Sequence, residues 1–328
     1  MRSVPAGSFR RLCEPETLWA AWAEVRRGKR AGPGVAAFEL DADRHLFALS
    51  RALRAGDWRP GAPALRTVRD PKLRLIAAPA VAERILHRAL LDTIGPTYER
   101  AFIPQCFTRG PGAGMHHAAI AYLGALRRHP WRCQLDIARY FPSVDLGRLE
   151  ALLFRRLADP DTRLVVTRLL DAGARVYRTA TAREVLGAPP DGRRGLALGS
   201  YLSQWCGNFY LDGMDQFIKR ELKIPGYLRY MDDFVLFAED RVRLTQARGT
   251  LADWLAAERG LALKPKGGQV RPAHEPATFL GFRIGRPGIS PGRKLRRRFA
   301  ARVRIAAGQG EAALERCLIS YRGLLLFP

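Results

Sequence analysis

The sequence predicts an α+β fold on three observations. Several long stretches space their apolar residues three and four apart, as helices do. The strand-like runs come as neighbours joined by tight turns, as antiparallel sheets do; the clearest is "GYLRYMDDFVLFAED", Gly226 to Asp240, where Asp232 and Asp233 sit at the tip of a hairpin between β-forming runs. Finally, 328 residues at 47% hydrophobic content suffice for one large or two to three smaller units, and no internal repeat is visible.

Taken in order, residues 14–28 and 41–56 carry helical periodicity. "LRTVRDPKLRLIAAP" predicts two short strands around the turn Asp70-Pro71-Lys72. A long helix is expected after Pro79, then the Gly-rich loop 108–117, then a helix through Leu126. "WRCQLDIARYFPSVD", Trp131 to Asp145, opens as a strand in which Asp136 interrupts Leu135 and Ile137. Residues 147–174 are expected as helix and 187–195 as loop, followed by a helix that leads into the Asp-Asp hairpin. Beyond it come a helix over 240–259, short strands near "LALKP", "GGQVRP" and "FLGFRI", and a last helix over 311–325.

Composition bounds the partners. With 55 Lys and Arg against 31 Asp and Glu, the net charge of +24 favours polyanions, nucleic acid first. Nine basic residues and no acid fall between Arg283 and Arg304, among them Arg293, Lys294, Arg296, Arg297 and Arg298, which are the candidate phosphate contacts. The five scattered cysteines show no metal-ligand spacing and suit reduced thiols. No apolar run approaches the ~20 residues of a membrane span and no leader core opens the chain, so a cytoplasmic location without membrane contact is expected.

Two adjacent acids repel unless a cation lies between them, and a carboxylate within a strand is costly to bury unless paired or metal-bound. Asp136, Asp232 and Asp233 are therefore candidates for one cation site, with a turn and an arginine salt bridge as the plain alternatives.

These pieces, in this order, resemble a reverse transcriptase. "YMDD" is similar to the Tyr-x-Asp-Asp signature of the polymerase palm, "LDIARYFPSVD" to the segment holding the first catalytic Asp, and "FLGFRI" to the primer-gripping strand. "RGLALGSYLSQ", Arg194 to Gln204, resembles more narrowly the reverse transcriptases of diversity-generating retroelements: Leu198 stands at the usual Gln and Gln204 at the usual Pro, while Ala197 departs from the expected Pro. The resemblance implies a right-hand polymerase with an N-terminal helical extension (1–60), fingers (61–130), a palm of antiparallel sheet and helices (131–285, with finger insertions) and a short basic thumb (286–328). It implies catalytic Asp136, Asp232 and Asp233, which with the Ile137 carbonyl hold two Mg²⁺ ions. Lys72, Arg74, Phe141 and Leu198 are implied at the dNTP, with Phe141 as the gate against a ribose 2′-hydroxyl and Arg109 as a weaker triphosphate candidate. Leu198, Gly199, Ser203 and Gln204 are implied at the template and in fidelity. The relatives' general-acid lysine falls on Gly267 in "LALKPKGGQV", with Lys266 one residue off and Lys264 near, so the role stays open between these two and plain solvated lysines. Partners so implied are an RNA template, a DNA or RNA primer, dNTPs and a small oligomeric helical accessory variability determinant protein. Two rivals remain open: a group II intron, retron or defence-associated reverse transcriptase, and a catalytically silent RNA-binding protein of polymerase fold.

Overall fold

The computed structural model describes residues 3–69, 73–108, 110, 112–265 and 267–325. In chain order it forms α1 (Ser8–Leu12), α2 (Pro15–Arg26), α3 (Pro33–Glu39), α4 (Ala42–Arg54), β1 (Ala64–Arg69), β2 (Leu73–Ala78), α5 (Val81–Glu99) and α6 (Met115–Arg128). There follow β3 (Trp131–Asp136), α7 (Tyr140–Ser143), α8 (Leu146–Phe154), α9 (Pro160–Arg175), α10 (Ala180–Leu186), α11 (Tyr201–Tyr210) and α12 (Asp212–Gln216). The chain ends through β4 (Gly226–Tyr230), β5 (Asp233–Ala238), α13 (Arg241–Trp254), β6 (Val270–Pro272), β7 (Ala277–Phe279), β8 (Phe282–Gly285), β9 (Gly288–Pro291), α14 (Arg293–Gly308) and α15 (Glu311–Leu325).

The chain divides into two compact units, each assembled from three separated stretches. The first takes residues 1–102, 138–213 and 256–261; the second takes 103–137, 214–255 and 262–328. These units interleave along the chain, because β3 of the second unit pairs with β5 across the intervening stretch 138–213 of the first.

In the first unit α5 packs against α1, α2 and α11. Its face of Ile85, Leu86, Ala89 and Leu90 is fully buried, and the helix runs on through Pro96. The β1–β2 ribbon exposes most of β1 and buries Leu75 and Ala77 of β2 against Val176, Ala182 and Ala197. The helix expected over 147–174 is broken at Asp159: its carboxylate accepts from the amides of Asp161 and Thr162 and Pro160 opens the next helix, so α9 starts afresh with a cap.

The second unit is built on an antiparallel sheet of order β4-β5-β3-β6. All of Phe234 to Ala238 on β5 is buried, as befits a strand covered on both faces. Tyr122 of α6 meets Phe237 edge-on at 5.2 Å, while α13 packs against β3, β5 and β6. A second sheet, β7-β8-β9, joins the same core through Phe279, Phe282 and Ile284; β9 was not foreseen.

Candidate active site

The Asp-Asp stretch is a hairpin whose β4 ends at Tyr230, paired with Asp233 at the start of β5. Met231 and Asp232 make the two-residue turn, a loop length that demands positive φ, and Met231 adopts it at 55°. On the other side of β5, β3 runs antiparallel in a register that sets Asp136 directly opposite Asp233. Side chains so paired lie about 5 Å apart at Cβ, and like charges there repel. Lys264 relieves the repulsion: its ammonium contacts Asp136 Oδ2, and its amide donates to the Asp136 carbonyl at 2.9 Å. Ile137, next along, bridges to Leu263.

Among the described residues no three His, Cys, Asp or Glu side chains converge as a metal cluster. Asp136 and Asp233 come together across the register, and Asp232, the chain neighbour of Asp233, lies in the turn just before β5. The donors nonetheless fit a hard divalent ion. Asp136 Oδ1 is buried without a hydrogen-bond partner, an orphaned anionic oxygen of the kind Mg²⁺ satisfies.

Of the residues expected at the nucleotide, the described ones, Arg74, Phe141 and Leu198, fall in the first unit. Arg74 is exposed on β2, opposite Val68. Lys72 and Arg109 lie outside the described residues, as does Lys266. Phe141 follows Tyr140 at 5.4 Å between rings and its carbonyl accepts from the Leu196 amide at 2.9 Å, so it is half-buried rather than a core residue. The segment after it is held against β2: the Leu198 carbonyl accepts from the Ala77 amide at 2.7 Å. Gly199, at φ 109°, backs onto the same strand, where a Cβ would come within 2.5 Å of the Ala77 carbonyl oxygen. Leu198 is half-buried, Ser203 is buried, and Gln204 is exposed on α11. Ser200 caps that helix, accepting from the Ser203 amide.

On α14, Arg293, Lys294, Arg296 and Arg297 are exposed, around the buried anchor Leu295. Arg298 differs, being only partly exposed.

Sequence reasoning missed Arg229, a fully buried arginine in the strand that leads to the acids, and its partner Asp215. The signal was present as one cation inside an apolar run, but its partner lies on another element. It also missed Arg66 and Arg69, exposed on β1 in the ribbon that carries Arg74.

An antiparallel sheet that sets two carboxylates opposite each other on adjacent strands, with a lysine at one of them and a basic helix in the same unit, suits a template-directed nucleotidyltransferase. Residues 68–284 match the reverse transcriptase (RNA-dependent DNA polymerase) family, and the chain belongs to it. Protein YkfC of Escherichia coli (strain K12) is 23% identical over 283 residues, covering 73% of this chain and 71% of YkfC. Among solved structures, an apo telomerase from Candida tropicalis, truncated from its C-terminal domain, aligns with a TM-score of 0.47 at 10% identity over 74% of this chain and 59% of that one. A telomerase from Candida albicans in complex with a fragment of telomeric RNA aligns at 0.47 and 10% over 80% of this chain and 52% of that one. The chain thus spans little more than half of either telomerase.

Proposed function

We propose that this reverse transcriptase is the polymerase of a diversity-generating retroelement, copying a template-repeat RNA into cDNA with errors concentrated opposite adenine. The observation that carries the reading is Leu198: an apolar side chain, half-buried on a backbone pinned to β2, stands where an amide is usual in reverse transcriptases. A pocket that reads its substrate through hydrogen bonds rejects a wrong one strongly, whereas an apolar contact separates similar shapes by only ~1–3 kcal/mol. The template, primer, dNTPs and accessory variability determinant protein follow from the same reading.

Asp136, Asp232 and Asp233, with the Ile137 carbonyl, would hold the two Mg²⁺ ions. When bound, Mg²⁺ activates the primer 3′-hydroxyl and stabilises charge on the departing pyrophosphate. The protein's own residues do the rest. Arg74 presents a guanidinium fork to triphosphate oxygens. Phe141 excludes a ribose 2′-hydroxyl. Lys264, already at Asp136, offsets carboxylate charge and is our candidate to give a proton to the leaving group.

The test is primer extension on RNA templates bearing isolated adenines, with and without the accessory protein. DNA products with errors at those positions are expected; faithful copying there would remove the retroelement role. Asp136→Asn and Asp232→Asn should each abolish extension while RNA binding persists, because chemistry rests on the carboxylates and binding on the basic residues. Extension at the parent rate by either variant would sink the site assignment.

A further inference from the structure

Arg229 stands in the middle of β4 with its side chain wholly buried, and a buried guanidinium is tolerated only when its donors are paired. Nε donates to Asp215 Oδ1 at 2.6 Å and Nη2 to Asp215 Oδ2 at 2.5 Å, a bidentate fork on a carboxylate that is itself fully buried. Tyr227 Oη donates to the same Asp215 Oδ1 at 2.5 Å, and Cys106 Sγ accepts from Arg229 Nη2 at 3.3 Å. The main chain of Arg229 is fixed as well: its amide donates to the Gln105 carbonyl and its carbonyl accepts from the Phe107 amide, each at 2.9 Å. One arm remains, and Nη1 donates to the Met231 carbonyl at 3.0 Å.

That carbonyl belongs to the peptide link between Met231 and Asp232. Met231 is held at φ 55°, a conformation a non-glycine residue keeps only when its surroundings impose it. The direction of its carbonyl sets where Asp232 leaves the turn and where Asp233 enters β5. A fork that ended on Asp215 would serve packing alone; the third contact reaches the turn.

We propose that Arg229, braced by Asp215 and Tyr227, is a positioning residue that fixes the Met231–Asp232 peptide and thereby aims the two hairpin carboxylates at the metal ions. The inference rests on the reading of those aspartates as metal ligands. An apolar replacement of a buried ion pair often folds as well as the parent, so packing and aiming are separable.

The experiment compares the parent with Arg229→Lys and with the triple variant Tyr227→Phe, Asp215→Leu, Arg229→Met, which removes every charge and hydroxyl of the cluster together. Thermal unfolding, RNA affinity, kcat and KM for dNTP, and Mn²⁺ affinity by titration calorimetry are measured on each. Lys cannot keep both Asp215 and the Met231 carbonyl, having no fork. A folded variant with unchanged RNA affinity, Mn²⁺ affinity lower by about 10- to 100-fold and kcat lower by about 100-fold with little change in KM supports the proposal. A folded variant with parental Mn²⁺ affinity and kcat overturns it, and so does failure of both variants to fold, since the cluster would then serve the unit's stability alone. If the parent itself extends no primer while Mn²⁺ affinity still depends on Arg229, the polymerase reading fails and the positioning role stands.

Discussion

Glu83 and His87 lie one turn apart on α5, both buried, with Oε1 and Nε2 3.7 Å apart beside a cavity of about 20 Å³, room for about one water. His87 Nδ1 lies 3.2 Å from Ser200 Oγ, the cap of α11, so the pair sits under the segment that carries Leu198. Burial pushes the Glu83 carboxyl up to about 7, opposed in part by the Gly61 backbone and the Arg175 charge, and pushes the His87 imidazole down to about 4. Both are neutral in the folded chain at mildly acidic pH. Glu83 thus contributes stability that is full below its unfolded value of 4.5 and lost as pH rises through about 7. His87 contributes stability present above 6.5 and lost as pH falls through about 4. Between 4.5 and 6.5 the unfolded chain carries Glu⁻ and HisH⁺ and the folded chain neither, so the bound protons balance and the two slopes cancel. Glu83→Gln removes one slope. Relative to the parent, the variant should gain stability on the order of 3 kcal/mol as pH rises across Glu83's range. Urea midpoints at several pH values measure this difference, and a constant offset between the two proteins would show that the Glu83 carboxyl is ionised in the fold.

At the scale of elements, α14 tests the nucleic-acid reading. Leu295 is buried and Phe299 meets Tyr321 of α15 at 5.1 Å, which leaves Arg293, Lys294, Arg296 and Arg297 outward along one helix. Replacing Arg296 and Arg297 by Gln should flatten the plot of log affinity against log salt by up to ~0.9 for each duplex phosphate that is no longer neutralised. An unchanged slope would reduce this face to a solvated one. The basic residues of α14 were legible because a charge run needs no partner to be seen, and β3, β4 and β5 because runs of β-forming residues and the tight turn between the last two are local signals. The break before α9 was missed although Asp159-Pro160 carries a cap and a helix-opening proline, since apolar periodicity on both sides masked it. The three aspartates were foreseen as one cluster, but only the register of β3 on β5 reveals that Asp136 faces Asp233 while Asp232 lies in the turn. Arg229 with Asp215, and Lys264 with Asp136, depend on contacts 14 and 128 residues apart in sequence, and no local pattern carries those.

For the whole molecule the net charge of +24 has two opposite consequences. Excess like charge repels itself in the compact state and destabilises it, and salt weakens that repulsion as the screening length falls from ~30 Å at 0.01 M to ~8 Å at 0.15 M. The protein free of nucleic acid should therefore melt at a higher temperature as salt rises across that range. RNA binds the folded chain and stabilises it by mass action, about 2.7 kcal/mol at a hundred times the dissociation constant. That contribution moves the other way, because phosphate contacts weaken steeply with salt. Thermal unfolding with and without a short RNA, over a salt series, should thus give two curves that converge: the free protein rising, the RNA-dependent increment shrinking. Local ion pairs pull against this, above all Arg193, which bridges Glu150 and Asp171. Such exposed pairs contribute only ~0–1 kcal/mol each, too little to reverse a net excess spread over the chain. A melting temperature of the free protein that falls with salt would show that paired charges, and not the excess, govern its stability; an RNA increment independent of salt would show that binding does not rest on phosphates.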